Sequence, residues 1–65
     1  MNWDVVKGKW KEIKGSARER WGELTDEDLD EAHGEREQLV GKVQQKYGKT
    51  KAEAEREVDD FIASL

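Results

Sequence analysis

His33 is the single histidine of this chain, and there is no cysteine, so a nucleophile–base arrangement would have to bring Ser16 or Ser64 against it. Nothing in the spacing of the three residues does so. A surface position near a helix C-terminus, where an imidazolium is favoured, accounts for His33 more simply. Asp26-x-Asp28-x-Asp30, with Glu37 at the twelfth place, imitates the ligand spacing of a calcium loop. The sixth place is Glu31, where the sharp turn of such a loop needs glycine, and Thr25-Asp26-Glu27-Asp28 reads as a helix start. These acids are expected to cap a helix and line a solvated face. No catalytic, cofactor-binding or metal role is assigned to any residue.

The remaining chemistry is electrostatic. Residues 1–22 carry a net charge of +3, 23–38 carry −7, 39–51 carry +4 and 52–65 carry −4, which together give the −4 of the whole chain. Lys7, Lys11, Lys14 and Arg18 form a basic stripe at spacings of four, three and four. Such a stripe could bind an anion, either nucleic acid or acidic lipid. The overall acidity, with a pI near 5.0, opposes long-range attraction to a polyanion. The alternating blocks are better explained as neighbouring helices whose surfaces offset one another.

The elements that carry these groups follow from apolar spacing. Trp3, Val6, Trp10, Ile13, Ala17 and Leu24 recur at helical intervals behind a candidate N-cap, Asn2. Arg20 occupies the next seam position and Trp21 takes its place. This predicts one helix from about Trp3 to Trp21, closed by Gly22 in the left-handed conformation. Gly8 and Gly15 fall on the face opposite the seam, each costing about 1 kcal/mol relative to alanine. They leave either a flat strip for a close backbone or simply a soft helix, and the second reading is preferred. Thr25 and Asp28 predict a capping box for a short helix over about 26–32, anchored by Leu29 and broken at His33-Gly34. A third helix over about 35–47 carries Leu39, Val40, Val43 and Tyr47 and stops at Gly48. Thr50 and Glu53 predict a second capping box, opening a helix with Ala54, Val58, Phe61, Ile62 and Leu65 on one face. No stretch alternates with period two, so sheet is not expected.

A repeat ties these elements together. GKWKEIKGSARERWG from Gly8 to Gly22 returns 26 residues later as GEREQLVGKVQQKYG from Gly34 to Gly48. Ile13 then corresponds to Leu39, Ala17 to Val43 and Trp21 to Tyr47. The predicted fold is all-α: a small four-helix domain made of two tandem αα-hairpins, spanning residues 1–65 as one domain. Neither hairpin can bury its apolar face alone. The three tryptophans and Tyr47 are expected to meet the Phe61 to Leu65 end of the last helix.

Composition sets the margin. A chain of 65 residues with 43% charged and 34% hydrophobic residues has a core near the lower limit for stable folding. Without a disulfide, helix packing must reinforce it. Burying a large side chain contributes roughly 1.5–3 kcal/mol, which gives Trp3, Trp10 and Trp21 disproportionate weight. No apolar run approaches the ~20 residues of a membrane span, and Met1-Asn2-Trp3-Asp4 does not open a signal peptide. A soluble, cytoplasmic protein that engages no membrane is expected.

Several segments carry a resemblance. Met1-Asn2-x-Asp4, Gly-Lys-Trp-Lys at 8–11, Lys14-Gly15, Trp21-Gly22-x-Leu24-Thr25-Asp26, Gln38-Leu39-Val40-Gly41-Lys42-Val43-Gln44 and Tyr47-Gly48 resemble the CsbD-like family of small hydrophilic bacterial proteins. The resemblance covers almost the whole chain. It implies an association with general stress responses and a compact all-helical domain, and it brings no catalytic residues or cofactor. The chain departs from the family pattern at Ser16, where lysine is frequent, and at His33, where an acid often precedes the glycine.

The expected function is that of a bacterial general stress-response protein acting non-enzymatically through its surface, as a monomer or weak homodimer with an unidentified protein partner. The alternative is a nucleic-acid-binding accessory module using Lys7, Lys11, Lys14 and Arg18.

Overall fold

The computed structural model describes residues 2–65; Met1, the first residue of the expected 1–65 domain, lies outside the described residues. The described chain forms five helices and no strand: α1 (Trp3–Gly8), α2 (Trp10–Arg20), α3 (Asp26–Ala32), α4 (Arg36–Tyr47) and α5 (Lys51–Ala63). The expected four-helix count is corrected here, because the single first helix is interrupted at Lys9. That residue sits at φ −109° and ψ 16°, and its N–H is shared between the carbonyls of Val5 and Val6 at 3.0 and 3.1 Å. Gly8 weakens the helix at this point, and a turn from elsewhere in the chain presses on it. Gly34 is buried, and a Cβ placed on it would lie 2.9 Å from the Cα of Lys7 and 3.3 Å from the Cβ of Trp10.

The caps follow the local sequence closely. Asn2 Oδ1 accepts the Val5 N–H at 3.0 Å. Thr25 Oγ1 accepts from Asp28 N–H and Asp28 Oδ2 from Thr25 N–H, both at 3.1 Å. Thr50 and Glu53 repeat the arrangement at 3.2 and 3.0 Å. His33 (φ 55°) and Gly34 (φ 73°) together turn the chain out of α3, and Gly48 (φ 62°) closes α4.

Gly22 does not take the left-handed cap expected of it, since the positive-φ glycines are Gly34 and Gly48. α2 ends one residue earlier, with Trp21 at φ −121° and ψ 84° as its cap. Where Trp21 leaves the helical path, its ring lies against α5. The indole stands edge-on to Phe61, with centroids 5.0 Å apart and planes at 64°, and its Nε1–H donates to Glu57 Oε1 at 3.2 Å.

The buried side chains form one cluster. Val6, Trp10, Ile13 and Ala17 contribute from α1 and α2, Leu29 and Ala32 from α3, Leu39, Val40 and Val43 from α4, and Ala54, Val58, Phe61 and Ile62 from α5. Trp3 and Tyr47 pack on its edge. Leu65, expected on the buried face of the last helix, is 45% exposed, because α5 ends at Ala63. Of the three tryptophans, Trp21 makes the ring contact with the Phe61 end, whereas Trp10 turns its indole N–H to Leu29. α4 and α5 pack most extensively, with α3 on α4 and α2 on α3. The radius of gyration, 10.4 Å, matches the ~10.7 Å expected of a compact chain of this length. No helix of the described residues is long and apolar enough to cross a membrane.

Candidate functional site

Four of the five acids of α3 pair with basic residues, on both sides of the helix. Lys14 Nζ lies 2.8 Å from Asp30 Oδ1 and Arg18 Nη1 3.2 Å from Asp26 Oδ1, which ties α2 to one flank of α3. On the other flank, Lys42 Nζ reaches Glu31 at 2.5 Å and Asp28 at 3.7 Å, while Lys46 Nζ lies 3.3 Å from Asp28 Oδ2. Lys7 Nζ meets Glu35 Oε1 at 3.2 Å. Three members of the predicted stripe, Lys7, Lys14 and Arg18, are therefore engaged with acids from residues 26–35. Lys11, exposed on α2, has no ion-pair partner among the described residues. The −7 block of the sequence thus lies against the +3 and +4 blocks.

Asp28 is the centre of this arrangement. Its side chain is only 14% exposed, and it closes the α3 capping box while drawing in two lysines. The Thr25 backbone N–H, followed by Lys46, holds its carboxyl below the usual range. The hydrogen bonds to Asp30 and to Glu31 raise the Lys14 and Lys42 ammonium groups above theirs.

A second set of pairs joins α4 to α5. Arg36 forks onto Asp59, Nε to Oδ1 at 2.9 Å and Nη2 to Oδ2 at 3.1 Å, with Nη1 3.4 Å from Glu55. Asp59 is pulled down by that hydrogen-bonded guanidinium. Lys49 pairs with Glu57, which is lowered by Lys49 first and then by the Trp21 indole N–H. Sequence reasoning assigned nothing to Arg36, Glu57 or Asp59. The available signal was the i, i+4 spacing of Glu55 and Asp59, which places two acids on one flank of a helix.

The candidates for conventional chemistry are placed apart. His33 is exposed and spends its backbone on a left-handed turn. Ser16 is exposed on α2, and Ser64 Oγ donates to the Phe61 carbonyl at 2.8 Å. Asp26, Asp28 and Asp30 lie on a helix rather than around a loop, and their carboxylates face three different sets of protein cations. Among the described residues, no group of three potential metal ligands converges. A shallow groove of about 300 Å³ on α5 is lined by Lys49, Ala52, Glu53, Arg56 and Glu57. Both of its carboxylates are already engaged, Glu53 in the Thr50 cap and Glu57 with Lys49.

Proteins of several bacteria are similar to this chain. UPF0337 protein PA4738 of Pseudomonas aeruginosa is 59% identical over 100% of both chains. UPF0337 protein pc0632 of Protochlamydia amoebophila is 54% identical over 94% of this chain and 92% of its own. UPF0337 protein YjbJ of Escherichia coli K12 is 51% identical over 94% of this chain and 88% of its own. The CsbD-like family model matches residues 4–56, and with relatives this similar over nearly their whole length the chain belongs to the CsbD-like family.

Proposed function

We propose that this protein serves a bacterial general stress response by presenting a charged helical surface, without catalysing a reaction. The observation that carries the reading is where its charged groups are engaged: acids of α3 and α5 are held by helix caps and by lysines or arginines of neighbouring segments. Asp28, Glu53, Glu57 and Asp59 are each held below the usual range, by a backbone cap or by a cation. A carboxylic acid that transfers protons near neutral pH needs the opposite shift. Membership of the CsbD-like family supports the stress assignment, in line with what the resemblance implied. On this reading the protein acts in the cytoplasm as one domain, a monomer or weak homodimer with a protein partner. Its two halves descend from one αα-hairpin; the burial of Ile13 and Leu39, and of Ala17 and Val43, supports that relation.

The test is complementation. A strain lacking the gene should survive stress less well, and His33→Ala, Glu57→Gln and Asp59→Asn should each restore survival when circular dichroism shows them folded. Undiminished survival of the deletion strain would overturn the stress assignment. A folded single variant that fails to rescue would overturn the non-catalytic reading.

A further inference from the structure

We infer that α3 is a salt-released flap: raised ionic strength screens the ion pairs that fasten it to α2 and α4, and it lifts from the core while α4 and α5 stay packed. Five of its seven residues are acidic, and only Leu29 and Ala32 are buried. α4 buries three side chains and α5 four, so α3 has the weakest apolar anchorage of the three. Ion pairs make up the difference. Asp26 and Asp30 lie on Arg18 and Lys14 of α2, while Asp28 and Glu31 lie on Lys46 and Lys42 of α4.

Screening weakens this attraction more than it relieves the repulsion among the acids. Five like charges on one short helix repel whether α3 is docked or released, whereas the pairs with α2 and α4 exist only when it is docked. The side chains of Asp26, Asp30 and Glu31 are more than half exposed, so salt reaches them, and the screening length falls from about 8 Å at 0.15 M to about 3 Å at 1 M. α4 on α5 is the most extensive helix packing of the domain, and apolar contacts carry no charge to screen. Segments with few buried apolar contacts open locally, at less cost than global unfolding. Leu24 and Gly34, both buried, pin the chain on either side, so the unit that lifts is 25–33. Lifting breaks the 2.7 Å bond from the Trp10 indole to the Leu29 carbonyl and uncovers Trp10 together with the apolar side of α3.

This goes beyond the reading that the protein acts through its charged surface and does not depend on it; the survival experiment judges that reading separately. The test is native-state hydrogen exchange at neutral pH in about 0.05 M and about 1 M sodium chloride. The Leu29 amide, bonded to the Thr25 carbonyl, and the Trp10 indole N–H report on α3, while the amides of Val43 and Val58, buried in α4 and α5, report on the rest. Between the two salt concentrations, protection of the α3 reporters should fall about tenfold, the combined effect of several weak pairs, and that of Val43 and Val58 by far less. Asp26→Asn/Asp30→Asn/Glu31→Gln, which keeps the Asp28 cap, should show the lowered α3 protection already at low salt and lose little more on adding it. Glu23→Gln/Glu37→Gln/Asp60→Asn removes three exposed acids that pair with no cation among the described residues and should behave as the wild type. Sucrose, which screens no charge, should not lower α3 protection. Should the first triple variant lose its helical circular dichroism, Asp30→Asn alone should still lower Leu29 protection relative to Asp60→Asn. An equal fall at Leu29 and Val58 would make the salt effect global and overturn the flap, as would a Leu29 protection that salt leaves unchanged; an equal fall in sucrose would overturn its electrostatic cause.

Discussion

Trp10 and Leu29 are joined by a buried hydrogen bond: the indole Nε1–H donates to the Leu29 carbonyl at 2.7 Å, fixing α2 against α3 from within the core. The same carbonyl accepts the His33 N–H at 3.3 Å, so the ring also steadies the turn that ends α3. Trp10→Ala should cost about 3–5 kcal/mol through lost burial and a cavity. A domain of this length holds only about 3–10 kcal/mol in total, so the variant should lose a third or more of its stability and melt far below the wild type by circular dichroism. Trp10→Phe, which keeps most of the ring but not the donor, should be folded and weaker by about 1–3 kcal/mol. A wild-type melting curve for Trp10→Ala would contradict the placement of this residue in the core.

The glycines divide sharply. Gly34→Ala would force a Cβ to within 2.9 Å of the Lys7 Cα at φ 73°, and a left-handed alanine alone costs roughly 1–2 kcal/mol. Gly41→Ala meets nothing within 4 Å and should stabilise α4 by about 0.5–1 kcal/mol. In a domain this small 1 kcal/mol moves Tm by about 4–8 °C, so calorimetry should show the two variants shifted in opposite directions.

Acid should unfold the protein from the carboxylate side. Asp28, Glu53, Glu57 and Asp59 all have folded-state values below their ordinary ones. Their contribution is therefore present above the unfolded values, about 3.9 for Asp and 4.3 for Glu, and is lost as pH falls through the lower folded values. Lys14, Lys42 and Lys49 are shifted upward, so their contribution is complete below about pH 10.4 and disappears above it. Urea melts should give a plateau between these limits. Asp28→Asn keeps the cap acceptor but not the charge, and it should flatten the acid limb.

Arg36→Lys should show what the forked geometry contributes. Lysine keeps the charge but cannot place two parallel donors on Asp59 as Nε and Nη2 do. A partly exposed pair of this kind is worth up to about 1 kcal/mol. The loss should appear in urea melts at low salt and shrink at high salt, where the pair is screened in both proteins.

The caps were legible because they are local: Asn2, Thr25 with Asp28, and Thr50 with Glu53 need only neighbours three residues away. The interruption at Lys9 was not, since it coincides with the approach of Gly34 from a distant part of the chain. The cap at Trp21 in place of Gly22 likewise depends on Phe61 and Glu57. Heptad spacing carried the core, and charge blocks foretold that surfaces would offset one another. Block totals contain no pairings, however, so the stripe could be seen in the sequence while the acids set against three of its four members could not.

That α2 packs on α3, α3 on α4 and α4 on α5 has a kinetic meaning. A chain whose helices dock mainly onto their successors closes short loops and has little topological search to complete, which places refolding in the microsecond to millisecond range. The X–Pro isomerisation that delays many small proteins has no counterpart here, because the chain contains no proline. Stopped-flow refolding from urea should end in a single fast phase. A molecule with so little stability in reserve can thus lose its structure during an insult and regain it almost as soon as conditions return, with no slow step in between.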